Sequence, residues 1–131
     1  MIRQLNDNLS DEQKRVLFDR GTEAPGSGAL LEETRGGRYT CVNCGAELFR
    51  SDAKYDSKTP GLIGWPSFAE ASSNDALALI PDGSLGMQRT EVTCANCGAH
   101  LGHLFTGVYD HPSGNHYCIN SCALGFQAKD G

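Results

Sequence analysis

No stretch of this 131-residue chain approaches the roughly 20 consecutive apolar residues that a spanning helix needs, so no membrane partner is expected. The opening run, Met1-Ile2-Arg3-Gln4-Leu5-Asn6-Asp7-Asn8, lacks the apolar core of a secretory signal. Positive charge is also short: Lys and Arg number 11 against 16 Asp and Glu, a net charge of −5. That sign argues against a nucleic-acid backbone as partner. Helix signals are scarce, whereas 16 glycines and 5 prolines mark many turns. No composition break divides the chain, so one domain over residues 1–131 is expected, acting as a monomer. The expected setting is the cytoplasm, where six cysteines point to metal and thiol chemistry more than to disulfides.

One helix is legible, over residues 9–21. Ser10 with Gln13 forms a capping-box pattern, Leu9, Val16, Leu17 and Phe18 supply an apolar stripe, and Gly21 offers a stop. The remainder reads as strands and turns. Leu30 to Phe49 holds strands around a first Cys pair, with Arg38 to Val42 alternating in polarity. Ser51 to Phe68 is a long loop, of the kind that is commonly functional, and Trp65 within it argues for order. Leu77–Ile80, Gly86–Val92 and Ala99–Phe105 read as strands, with a turn at Pro81-Asp82-Gly83. Tyr117 to Phe126 reads as a last strand or hairpin.

Cys41-Val42-Asn43-Cys44 and Cys94-Ala95-Asn96-Cys97 form a CxxC…CxxC layout, each pair followed by glycine. Two thiolates on one tight turn can face one metal, and a second turn completes a tetrahedron with no open position. A structural zinc ion is therefore expected on Cys41, Cys44, Cys94 and Cys97. Two disulfides, or a redox CxxC, are the competing readings.

Cys118 and Cys122 remain outside that quartet. A cysteine left over is either an inert core residue or a nucleophile. His100 and His103 share one segment, and His116, Cys118 and Asn120 would share one face of an extended strand. Imidazoles beside a thiol can lower its pKa or relay its proton. A zinc-ribbon binding module would need the Cys quartet alone, without these groups. A thiol redox sensor centred on Cys118 is another rival.

Taken in order, the motifs resemble the methionine-R-sulfoxide reductases of the B type, from Leu9 to about Phe126. The pieces are Gly21-Thr22-Glu23-Ala24-Pro25 with Ser27-Gly28, then Tyr39-Thr40-Cys41 through Cys44-Gly45, and Leu48-Phe49. Gly64-Trp65-Pro66-Ser67-Phe68, Cys94 through Gly98, His100-Leu101-Gly102-His103-Leu104-Phe105 and Tyr117-Cys118-Ile119-Asn120-Ser121 complete the set. The resemblance implies a mainly β, tent-like fold of two antiparallel sheets, with an N-terminal helix and a four-cysteine zinc clip away from the site. It implies reduction of the R epimer of methionine sulfoxide, chiefly in oxidised proteins. Cys118 matches the family's nucleophile, which becomes a sulfenic acid. His103, His100 and Asn120 match its catalytic set. Trp65, Phe68 and His116 would line the substrate. Thioredoxin or a small thiol would restore the enzyme.

Three departures stand out. The recycling cysteine that many members carry before the Gly-Trp-Pro run is absent: Ile63 or Thr59 holds that place, and Pro60-Gly61-Leu62 lengthens the loop. His116 stands where Arg is usual. Gly107 stands where an acidic residue is usual, with Asp110 a possible substitute. Cys122 is then the one thiol left to resolve a sulfenic acid at Cys118. On a straight strand the two Cα atoms would lie roughly 13 Å apart at about 3.3 Å per residue. A disulfide needs about 4.4–6.8 Å, so resolution requires a turn at Asn120-Ser121 or local unfolding. A small core residue is the competing reading for Cys122.

Overall fold

The computed structural model describes residues 4–57, 63–82, 89–107, 112 and 114–129. Helix α1, Asp11–Asp19, starts as its sequence requires: Ser10 Oγ accepts from Gln13 N–H at 3.1 Å, and Ser10 N–H donates to Gln13 Oε1 at 2.8 Å. Asp11 and Glu12 suit the positive end of the helix dipole. Val16 and Leu17 face the core, fully buried. The stop comes one residue before the expected glycine. Arg20 takes the left-handed conformation at φ 58°, which costs a non-glycine residue on the order of 1 kcal/mol or more. Its guanidinium reaches a buried carboxylate, Glu91, and that pairing offsets the strain.

Among the described residues nine strands follow: β1 Gly37–Cys41, β2 Glu47–Arg50, β3 Lys54–Tyr55, β4 Ser67–Phe68, β5 Leu77–Asp82, β6 Arg89–Cys94, β7 His100–Thr106, β8 Asn115–Ile119 and β9 Leu124–Ala128. They form two sheets, in the orders β2-β1-β9 and β3-β4-β8-β7-β6-β5, every pairing antiparallel. The core lies between them. Phe68 stacks on Phe49 with ring centroids 4.3 Å apart, and Tyr39 meets Phe68 edge-on at 5.1 Å. Leu48, Val92, Leu101 and Ile119 close around these rings, all fully buried. The fold is thus mainly β, with two antiparallel sheets and one N-terminal helix.

Some expectations change. Leu30 to Gly36 is turn, irregular chain and bend rather than strand, and β1 begins at Gly37 opposite Ala128. Pro81 and Asp82 extend β5 instead of turning, paired with Thr90 and Arg89. β5 is the end strand of its sheet, where a proline need not donate to a neighbour. Tyr117 to Phe126 is neither one strand nor a hairpin. β8 ends at Ile119, a 3-10 turn spans Ser121–Ala123, and β9 joins the other sheet. The long loop from Ser51 contains a 3-10 turn at Ser51–Ala53 and strands β3 and β4. Pro60-Gly61-Leu62, Thr59, Asp110 and the start of the expected strand at Gly86 lie outside the described residues.

Candidate active site

Strand register builds the site. Glu91 on β6 pairs with His103 on β7, His103 with Cys118 on β8, and Cys118 with Ser67 on β4. Directly paired residues point to the same face of a sheet. The next row over, Leu104, Tyr117 and Phe68, points to the core. So one row across four strands places a carboxylate, an imidazole, a thiol and a hydroxyl side by side on the other face. His116, two residues before Cys118, shares that face, and its Nε2 lies 2.8 Å from Ser67 Oγ. It is fully buried, edge-on to Tyr55 and Phe105 at 5.6 and 6.4 Å.

His100 should face away from His103 on a regular strand, since they are three residues apart. A bulge corrects this. Val92 pairs with Gly102 and Thr93 with His100, which leaves Leu101 as the extra residue. The two imidazoles come together, ring centroids 5.4 Å apart. His100 Nδ1 lies 2.8 Å from Glu91 Oε2, and Glu91 Oε1 receives Arg20 at 3.1 Å. Burial pushes the His100 pKa down, with Glu91 pulling the other way. Gly102 is needed in the middle of this strand, because a Cβ there would collide with the Cys118 carbonyl oxygen.

The turn after Cys118 is held by a second buried carboxylate, Glu23 (2 % exposed). Its Oε2 accepts from Ser121 N–H at 2.8 Å and its Oε1 from Cys122 N–H at 2.9 Å. Its own N–H donates to Asn120 Oδ1 at 2.9 Å, and its carbonyl accepts from Trp65 Nε1 at 3.0 Å. Burial first, and then the charge of Glu23, push the Cys118 thiol up to about 12. The same two causes, with a hydrogen bond to Glu23, push Cys122 up to about 12. Both are resting thiols at neutral pH.

Among the sequence-derived candidates, His103, Cys118 and His116 gather on this face, and His100 joins them through the bulge. Trp65 lies two residues ahead of Ser67, half-buried, its ring fixed by Glu23. Both ends of the Asn120 amide are engaged, Nδ2 donating to Leu101 O at 2.9 Å. Phe68 is not brought to the site: it is fully buried on the core side against Phe49 and Tyr39. Cys122 lines a separate cleft of about 640 Å³ together with Gln13, Glu23 and Ser121. Ile63 is 59 % exposed, and Gly107 sits at φ +74°, a conformation that side chains of any kind adopt only at a cost. Glu91 carried no sequence signal, and Glu23 and Ser67 stood in the motif runs without a role of their own. Charged residues in predicted strands or loops give no signal of burial until their partners are known.

The four paired cysteines converge. Cys41 Sγ lies 3.7 Å from Cys97 Sγ, Cys44 Sγ lies 3.5 Å from Cys94 Sγ, and all four sulfurs fall within 4.8 Å of one another. Sulfurs around a tetrahedral zinc, bonded at about 2.3 Å, would be roughly 3.8 Å apart. A hydrogen bond from Cys41 holds Cys94 down at about 5, while Cys41 is driven up by that bond and by burial. One anion thus suppresses the next, a repulsion that a divalent cation would remove. The cluster can hold one metal ion. No disulfide joins any of the six cysteines.

The chain is similar to known proteins. The family model for the SelR domain matches residues 9–128. A "Peptide methionine sulfoxide reductase MsrB" of Leifsonia xyli subsp. xyli is 52 % identical over 122 residues, 93 % of this chain and 85 % of that protein. A protein of the same name in Methanosarcina mazei is 48 % identical over 122 residues, 93 % and 84 % of the two chains. The crystal structure of the Mis18 "Yippee-like" domain superposes with a TM-score of 0.52 at 14 % identity, covering 71 % of this chain and 96 % of that one. At that identity the likeness is one of fold alone.

Proposed function

The chain belongs to the SelR-domain family, with close relatives named as methionine sulfoxide reductases of the MsrB kind, and from that premise we propose that it reduces the R epimer of methionine sulfoxide in proteins, with Cys118 as nucleophile. The observation that carries this reading is the row Glu91, His103, Cys118 and Ser67 across four neighbouring strands. Cys118 sulfur attacks the sulfoxide sulfur. The oxygen passes to Cys118 as a sulfenic acid, and methionine leaves as the thioether; the thiol proton ends on the sulfenic oxygen. His103, directly opposite Cys118, is placed to move that proton, and His100 to order the oxygen or a water. Asn120 acts by position, tying the end of β8 to Glu23 and Leu101. Trp65 offers an apolar wall for the substrate methyl group, fixed by its bond to Glu23. His116 and Ser67 close the other side. The polar pair suits a sulfoxide group more than a thioether.

Cys122 is the proposed resolving thiol. Its sulfur would displace water from the Cys118 sulfenic acid, giving a disulfide that thioredoxin or a small thiol then reduces by two electrons and two protons. The 3-10 turn at Ser121–Ala123 supports this, because the straight-strand separation does not apply. The cleft beside Cys122 gives a reductant a way in. Zinc on Cys41, Cys44, Cys94 and Cys97 would be structural, in a single-domain monomer of the cytoplasm. Among the described residues no helix is long and apolar enough to cross a membrane.

The test is NADPH consumption through thioredoxin reductase and thioredoxin, with each sulfoxide epimer supplied separately. Turnover of the R epimer, lost in Cys118→Ser, is expected. Equal use of both epimers, or of neither, would rule the reading out. Mass mapping of oxidised protein should find a Cys118–Cys122 bond.

A further inference from the structure

Glu91 is a buried carboxylate held between a cation and an imidazole. Its Oε1 is paired with Arg20, and its Oε2 lies 2.8 Å from His100 Nδ1. An ionised carboxylate only accepts, so Nδ1 must carry the hydrogen of that bond. In a neutral imidazole the other nitrogen is then bare. His100 is 1 % exposed, and its Nε2 has no hydrogen-bond partner. A buried acceptor without a donor, beside His103, calls for an O–H from a water or from the reacting molecule. The charged and titratable groups facing His100 are Arg20 from the end of α1, Glu91 from β6 and His103 on β7 itself. Burial favours the neutral ring over the imidazolium.

Resting on the reductase reading, we propose that Glu91 is a positioning residue for the sulfoxide chemistry: it locks His100 in the Nδ1–H tautomer, so that a bare Nε2 stands beside His103 as the acceptor for an O–H in the site. Arg20 completes the device. By claiming Oε1 it leaves Oε2 to His100, and its own left-handed backbone is maintained for that contact. The bulge at Leu101 is the structural requirement, because without it His100 would face the other side of the sheet.

Glu91→Gln makes a sharp test, since it keeps the shape and changes only the donor pattern. Arg20 can only donate, so it will claim the amide oxygen. The amide NH₂ is then left against Nδ1, which drives the ring proton to Nε2. Imidazole ¹⁵N spectra, recorded on the basic side of the usual histidine pKa, should show Nδ1–H in the wild type and Nε2–H in Glu91→Gln. The kcat for the R epimer should fall by about tenfold or more, as for a misplaced general acid or base, with KM little changed. Adding Arg20→Gly, which suits a left-handed position, frees the introduced amide to turn its oxygen to Nδ1. The double variant should regain the wild-type tautomer and most of the lost kcat. Retention of the wild-type tautomer in Glu91→Gln, or a double variant no better than the single, overturns the proposal. The spectra need no turnover. A wild type inactive on sulfoxides would therefore defeat the reductase reading while the tautomer is still measured.

Discussion

Cys118 is the proposed nucleophile, and its surroundings hold the thiol protonated. Burial and the Glu23 charge raise it to about 12, from an ordinary value of 9.0. In the proposed reaction the nucleophile would then be made on demand, its proton passing to a neighbouring imidazole or the substrate. In a Cys122→Ser background, alkylation of Cys118 should climb roughly tenfold per pH unit through 9 and on toward 12, because rate follows the thiolate fraction. A plateau just above pH 9, followed by mass spectrometry of the alkylated peptide, would show an unperturbed thiol. His116 illustrates a different residue-scale lesson. Its replacement of the usual arginine is visible in sequence, but its fully buried position against Ser67, Tyr55 and Phe105 is not.

At the scale of elements, the site depends on two departures from regular structure. The β7 bulge brings His100 to the working face, and the 3-10 turn at Ser121–Ala123 bends the chain between Cys118 and Cys122. Glu23 holds the turn through two backbone N–H groups. Glu23→Ala would leave both without an acceptor, at a cost of about 2–5 kcal/mol. Denaturant melts should show that loss, and Trp65, whose ring is held by the Glu23 segment, should change its fluorescence. An unchanged midpoint would mean that water replaces the carboxylate freely. The helix and its capping box were readable from Ser10 and Gln13, since a cap is a local contact. Strand ends were less so: Pro81 continues a strand because of where β5 lies in its sheet.

At the scale of the whole molecule, the Cys quartet ties the two sheets together. Cys41 ends β1 in the three-stranded sheet, and Cys94 ends β6 in the six-stranded one. A metal there would fix the angle between sheets and so the shape of the core. Removing it with a chelator is expected to lower the melting midpoint by about 10 °C or more, since a structural site contributes its binding energy to folding. Metal analysis should find one ion per chain before treatment. Loss of metal without a fall in midpoint would assign the sulfurs another role. The face proposed to be active lies across the middle strands of the larger sheet, whereas the quartet sits at or just beyond strand ends, so partial metal loss should cost stability before it costs rate.

The sequence by itself determined the β class, the cap of α1, the metal-type spacing of Cys41, Cys44, Cys94 and Cys97, and the candidates Cys118, His103 and Trp65. The cap and the cysteine spacing are local chemistry, whereas the candidacy of Cys118, His103 and Trp65 rests on the resemblance of the motifs that hold them. Tertiary structure alone decided that His100 turns to the site, that Phe68 belongs to the core, and that Cys122 opens on a separate cleft. It also supplied Glu91, and it gave Ser67 and Glu23, present in the motif runs, their contacts. His100, Phe68, Glu91 and Ser67 depend on register between strands far apart in sequence, and a shift of one residue there would send such side chains to the opposite face. Glu23 and Cys122 lie outside the strands and are placed by the contacts of the turn at Ser121–Ala123.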